Sequence, residues 1–131
     1  KGEIALKKGT KITPAAIGFL ASLGITDVDV YKQPKISLIV TGNELTIPGQ
    51  SLEYGKIFES NSIMLAAALK NIGYSDVNIQ QVNDDYLATK SLLDNSIDTN
   101  DIVIITGGIS VGDYDFVGKA LTELKVNEIY L

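Results

Sequence analysis

Three short stretches hold most of the side chains that could do chemistry. They are Thr41-Gly42-Asn43-Glu44, Asn83-Asp84-Asp85, and the longer Thr106-Gly107-Gly108-Ile109-Ser110-Val111-Gly112-Asp113-Tyr114-Asp115. Each combines carboxylates with hydroxyls, amides or glycines. Carboxylates suit proton transfer and hard cations. Glycine amides at a helix start suit a phosphate or another oxyanion. Together they point to metal-assisted chemistry on an anionic substrate. What is missing narrows this further. The 131 residues contain no His and no Cys, which removes the imidazole base, the thiolate nucleophile and the zinc–thiolate site from this chain. Any metal here is held by oxygen, so Mg²⁺ is the expected one.

Each stretch directly follows an apolar run. Ile36-Ser37-Leu38-Ile39-Val40 precedes the first, Val77 to Val82 the second, and Ile102-Val103-Ile104-Ile105 the third. Helical patterns follow the loops. Met64, Leu65, Ala68, Leu69 and Ile72 predict one apolar face of a helix over about 60–72, ended by Gly73. Tyr86 to Ile97 reads as a less sharply patterned helix, and Phe116 to Leu124 as a third. Ile129-Tyr130-Leu131 reads as a fourth strand. Strand–helix alternation of this kind implies a three-layer α/β/α fold with a mostly parallel sheet and right-handed crossovers. Ligands of such sheets bind outside the carboxyl ends of the strands, and parallel connectivity places all three acidic loops on that one edge.

The first 33 residues differ. Thr13 is suited to cap a helix begun by Pro14 and ended at Gly24, and Val28-Asp29-Val30-Tyr31 alternates like a short strand. The expected organisation is residues 1–33 as the end of a preceding domain with its linker, and 34–131 as the α/β domain, truncated at its C-terminus.

Other readings of these residues are blander. Asp84, Asp85 and Asp115 each stand where an ordinary N-cap stands, as do Ser60 and Asn61, and the glycines permit tight turns. Three acidic loops on one edge, one with adjacent glycines after a buried strand, exceed what turns require. Two tempting motifs fail. Gly108-Ile109-Ser110-Val111-Gly112 matches a nucleophile elbow, but the chain has no His to activate Ser110. Gly112 to Lys119 has the wrong glycine spacing for a P-loop and ends in Ala120 instead of a hydroxyl residue. A net charge of −5 with scattered basic residues argues against a nucleic-acid partner. The chain has neither an apolar run of membrane-spanning length nor a signal-peptide pattern, so a cytoplasmic setting with no membrane contact is expected.

These loops, with Leu45, Pro48-Gly49 and Gly55-Lys56-Ile57-Phe58-Glu59-Ser60-Asn61 between the first two, resemble the molybdopterin molybdenumtransferases, the MoeA and gephyrin E-domain family. The resemblance runs in the family's order over nearly the whole chain. It implies the last step of molybdenum cofactor synthesis: insertion of molybdate into adenylylated molybdopterin with release of AMP, assisted by Mg²⁺. On that reading Glu44 and Asp115 are the catalytic and metal-binding carboxylates. Thr41, Gly42, Asn43, Ser60, Asn61, Asp84, Asp85, Thr106, Gly107, Gly108, Ser110, Gly112 and Asp113 line the substrate pocket. Adenylyl-molybdopterin and molybdate are the expected partners, and the family implies further domains on both sides and a homodimer at full length. Two positions depart from its pattern: Asn43 stands where Asp is common, and so does Glu59. The alternatives are a non-catalytic molybdopterin-binding or assembly module and a CinA-type hydrolase of nucleotide pyrophosphates.

Overall fold

The computed structural model describes residues 2–108 and 116–126. The chain divides into two compact units, Lys1–Lys32 and Gln33–Leu131.

The first unit is built around α1, Pro14–Ser22. Its start and stop follow from local chemistry. Thr13 Oγ1 accepts from the Ala16 amide at 3.2 Å, and Pro14 occupies a position where a missing N–H costs nothing. At the other end Gly24, with φ +75°, donates to Ala21 O, while Ile25 N–H reaches back to Leu20 O. That is a Schellman closure, which needs the positive φ that glycine tolerates. Residues 28–31 do not form the expected strand. They pair with no other strand among the described residues, and Val30 and Tyr31 are exposed. Alternation alone does not hold an extended segment whose backbone groups find their partners in water.

The second unit runs β1 (Ile36–Thr41), β2 (Leu45–Thr46), β3 (Ile57–Phe58), α2 (Asn61–Asn71), β4 (Val77–Val82), α3 (Tyr86–Thr99), β5 (Ile102–Thr106) and α4 (Phe116–Leu124). The sheet has the order β4–β1–β5, and every pair is parallel. Ile36 pairs with Val77 on one side and Ile102 on the other, so the strands finish level at Thr41, Val82 and Thr106. All six residues of β1 are buried, as a central strand covered on both faces requires. The chain leaves β1 toward β4 on one side and then crosses back to β5 on the other. Right-handed crossovers therefore put α2 and α3 on opposite faces. The three-layer reading of the sequence holds.

The main core lies under α3 and α4. Ile39, Val82, Leu93 and Ala120 are buried there, with Val103, Ile105, Leu121 and Leu124 packed around them. Two serines share this face without penalty, because Ser37 Oγ and Ser96 Oγ both donate to Gln80 Oε1, at 3.3 and 3.2 Å. Lys90 and Glu123 tie α3 to α4 as an exposed ion pair. Lys119 Nζ lies 4.5 Å from the Tyr86 ring centroid beside it. Hydrogen bonding to Lys90 holds the Glu123 carboxyl below its ordinary range. A depressed carboxyl stabilises the fold above its unfolded pKa and loses that effect as pH falls through the folded one.

Helix α2 departs from expectation. Leu65 and Leu69 are half-buried, but Met64 and Ile72 are 60% and 70% exposed. The helix packs on β1, and its apolar arc is wider than the strip of sheet it covers. At the amino edge of the sheet Asp101 Oδ2 accepts from Lys35 N at 2.8 Å, while Lys35 O accepts from the Asp101 and Ile102 amides. That closes the end away from the acidic loops. No described helix is long and apolar enough to cross a membrane.

Candidate functional site

The order β4–β1–β5 makes a topological switch point between β1 and β5, because the chain leaves the two neighbours toward opposite faces of the sheet. Open α/β sheets hold their ligands in the crevice at that point, outside the carboxyl ends. The loops after Thr41 and Thr106 meet there.

The meeting is close, and it explains the two adjacent glycines. Gly107 has φ +83°, and a Cβ on it would fall 2.2 Å from the carbonyl oxygen of Thr41. Gly108 has φ +66°, and its Cβ would fall 2.6 Å from both Thr41 Oγ1 and Val117 Cγ2. Only residues without a side chain let the β5 loop lie on the end of β1. Thr41 Oγ1 and Thr106 Oγ1 are buried at this junction without a hydrogen-bond partner among the described residues. Beyond Gly108, the predicted site residues Ser110, Gly112, Asp113 and Asp115 lie outside the described residues.

The loop after β1 turns at once, with Leu45 N–H donating to Gly42 O at 3.4 Å. Gly42 has φ +146°, and a Cβ there would sit 2.8 Å from both carboxylate oxygens of Glu44. The Glu44 carboxylate thus lies over Gly42 on an exposed residue, and no described residue hydrogen-bonds to it. Its backbone is held firmly. The parallel pair β2–β3 binds residues 44–46 to 57–59, through Ile57 N to Glu44 O at 2.8 Å and Glu59 N to Thr46 O at 2.9 Å. Lys56 Nζ donates to the Asn43 carbonyl.

Ser60 stands at the N-cap position of α2 but makes no side-chain cap bond. Glu59 replaces it in that role. Its buried carboxylate accepts from the Ser62 amide at 2.8 Å and from the Ser62 hydroxyl. Ser60 and Asn61 stay exposed beside it.

The loop after β4 joins the same edge. Asn43 N–H donates to Asp84 Oδ2, and Asp84 N–H donates to Asn43 Oδ1, both at 3.1 Å. Asp85 caps α3, its Oδ1 accepting from the Ala88 amide at 2.7 Å. For Asp85 the cap gives a direct prediction. Asp85→Ala should cost about 1 kcal/mol in a thermal melt and Asp85→Asn almost nothing, since Asn caps about as well as Asp. Equal losses for the two would contradict the cap.

The sequence assigns Lys56 and Ser62 no site role, and it marks Glu59 only as a departure from the family pattern. For the last two a signal was present, a carboxylate three residues before a serine amide at a helix start. For Lys56 there was none. The donor set of this edge is all oxygen, but among the described residues no three acidic side chains gather to hold a metal ion. Asp84 and Asp85 already bind backbone amides. The described residues therefore do not make a Mg²⁺ site by themselves.

Residues 37–130 match the family described as "Probable molybdopterin binding domain". The chain belongs to that molybdopterin-binding family. Curated relatives include the molybdopterin molybdenumtransferase of Staphylococcus aureus, 36% identical over 129 residues that make up 98% of this chain and 31% of the relative. Molybdopterin molybdenumtransferase 2 of Mycobacterium tuberculosis is 39% identical over 119 residues, 91% of this chain and 29% of that protein. The chain thus spans under a third of these relatives' length. A crystal structure of a molybdopterin biosynthesis MoeA protein from Pyrococcus horikoshii superposes with a TM-score of 0.76 at 30% identity, covering 95% of this chain and 30% of that one. The match to the molybdopterin-binding family takes in β1 from Ser37 onward, β4, β5 and the loops that follow them.

Proposed function

We propose that this chain supplies the substrate site of a molybdopterin molybdenumtransferase. Adenylylated molybdopterin binds at the carboxyl edge of the sheet and exchanges its adenylyl group for molybdenum. In that reaction water adds at one phosphorus and breaks the pyrophosphate link, and AMP leaves. The two dithiolene thiols displace one oxygen of molybdate, which departs with their protons as water. The observation that carries this reading is the junction of Gly107 and Gly108 with Thr41 at the β1/β5 switch point, with the Glu44 carboxylate exposed on the adjoining loop. The two glycines let the β5 loop lie against the end of β1, and the loop's amides would hold the pyrophosphate oxygens. Glu44, through an Oε atom, would take the proton of the attacking water. The Mg²⁺ and the Asp115 role implied by the resemblance belong to this proposal and carry no step of it.

A second reading has one observation in its favour. Asp84 and Asp85 each accept from a backbone amide, a structural role that suits a binding or assembly module. One experiment separates the two. The native protein is given adenylyl-molybdopterin with and without molybdate, and both bound ligand and released AMP are measured. Molybdate-dependent AMP release supports the transferase, binding without release supports the module, and neither would overturn both.

A further inference from the structure

Asn43 and Asp84 lie 41 residues apart in sequence, yet each backbone N–H donates to the other's side-chain oxygen. Such a reciprocal pair is a closed clasp: loss of either side chain removes the protein acceptor of the other's amide. Its place is telling. Asn43 directly precedes Glu44, and its carbonyl is the acceptor for Lys56 Nζ. The next residue's carbonyl is held by Ile57 N–H at 2.8 Å. The peptide units on both sides of Glu44 are therefore fixed from three directions, by the β4 loop, by Lys56 and by β3. The Glu44 carboxylate, in contrast, receives no bond from the described residues.

We infer that the Asn43–Asp84 pair is a positioning device for Glu44, acting through hydrogen-bond acceptance and not through the charge of Asp84. The clasp also gives Asn43 a physical role. With Asp at position 43, a second carboxylate would stand beside that of Asp84, and like charges in contact repel. The neutral amide supplies the same acceptor oxygen without that repulsion. Asp84 then acts on Glu44 only through the Asn43 backbone, as an acceptor, and an uncharged acceptor can replace it.

The inference rests on the transferase reading, and the test keeps the two apart. In the native protein, Asp84→Ala, Asp84→Asn and Asn43→Ala are compared for kcat and KM of AMP release, with amide exchange at residues 43 and 84 as a second readout. Asp84→Ala and Asn43→Ala should lower kcat by about tenfold or more with KM little changed. Both should also speed exchange of the partner's amide. Asp84→Asn should restore slow exchange and bring kcat back to within a few-fold of the parent. Equal losses in Asp84→Asn and Asp84→Ala would overturn the inference, because they would make the charge essential. Unchanged kcat in both alanine variants, with exchange accelerated, would also overturn it, by showing a clasp that positions nothing. A parent protein that releases no AMP overturns the transferase reading, and the positioning role with it. Slow exchange at 43 and 84 would then still report the clasp.

Discussion

Replacing Glu44 with Gln is expected to lower molybdate-dependent AMP release by about 10²-fold or more, the scale on which loss of one preorganised electrostatic group is felt. Gln fills the same volume over Gly42, where the carboxylate oxygens now lie, so the turn at 42–45 has no reason to change. The backbone bonds that hold residue 44, from Ile57 N–H and across β2–β3, do not involve the side chain. The melting temperature should therefore stay within a degree or so of the parent. Retained fold with lost turnover assigns the defect to the carboxylate itself. Near-parental AMP release would show that proton transfer runs through another group, and the assignment of Glu44 would be wrong.

Gly107→Ala is expected to be the most damaging single methyl on this edge. A side chain at φ +83° costs about 1–2 kcal/mol. A carbon 2.2 Å from the Thr41 carbonyl forces the backbone apart, and overpacking of this kind costs about 1–3 kcal/mol more. The sum, about 2–5 kcal/mol, should lower the melting temperature by on the order of 10 °C. Gly73→Ala is the control. Gly73 also has a positive φ, +102°, but a Cβ there meets nothing within 4 Å. That substitution should carry the conformational cost alone, about 1–2 kcal/mol. Equal melting shifts in the two variants would mean that the β5 loop does not lie on the end of β1.

How far the sequence disclosed this arrangement depends on the range of the interaction. The sheet strands and the helices after them follow local apolar patterns, and they were legible to within a residue or two. The edge on which the acidic loops sit followed from parallel connectivity alone. Interactions between distant segments were not legible. Nothing in Asn43 or Asp84 announces that they bind one another, because the pairing depends on strand register between β1 and β4. The pair β2–β3 hid inside a stretch read as loop, since two-residue strands leave no periodic pattern. Glu59 was weighed as a departure from a family pattern, and its burial as the α2 cap appears only in three dimensions. The failures of pattern have the same origin. Val28 to Tyr31 alternates without a strand to pair with among the described residues, and the apolar arc of α2 says nothing about how much of it the sheet covers.

The proposed ligand site is the carboxyl edge of the sheet, at the β1/β5 switch point. Hydrogen exchange of the native protein with and without adenylyl-molybdopterin tests it directly. Binding at that site should slow exchange of the amides at 42–45, 83–85 and 106–108, and leave those at 35 and 101–102 as they were. Protection confined to the Lys35–Asp101 edge, or unchanged exchange at 42–45 and 106–108 under saturating ligand, would contradict it.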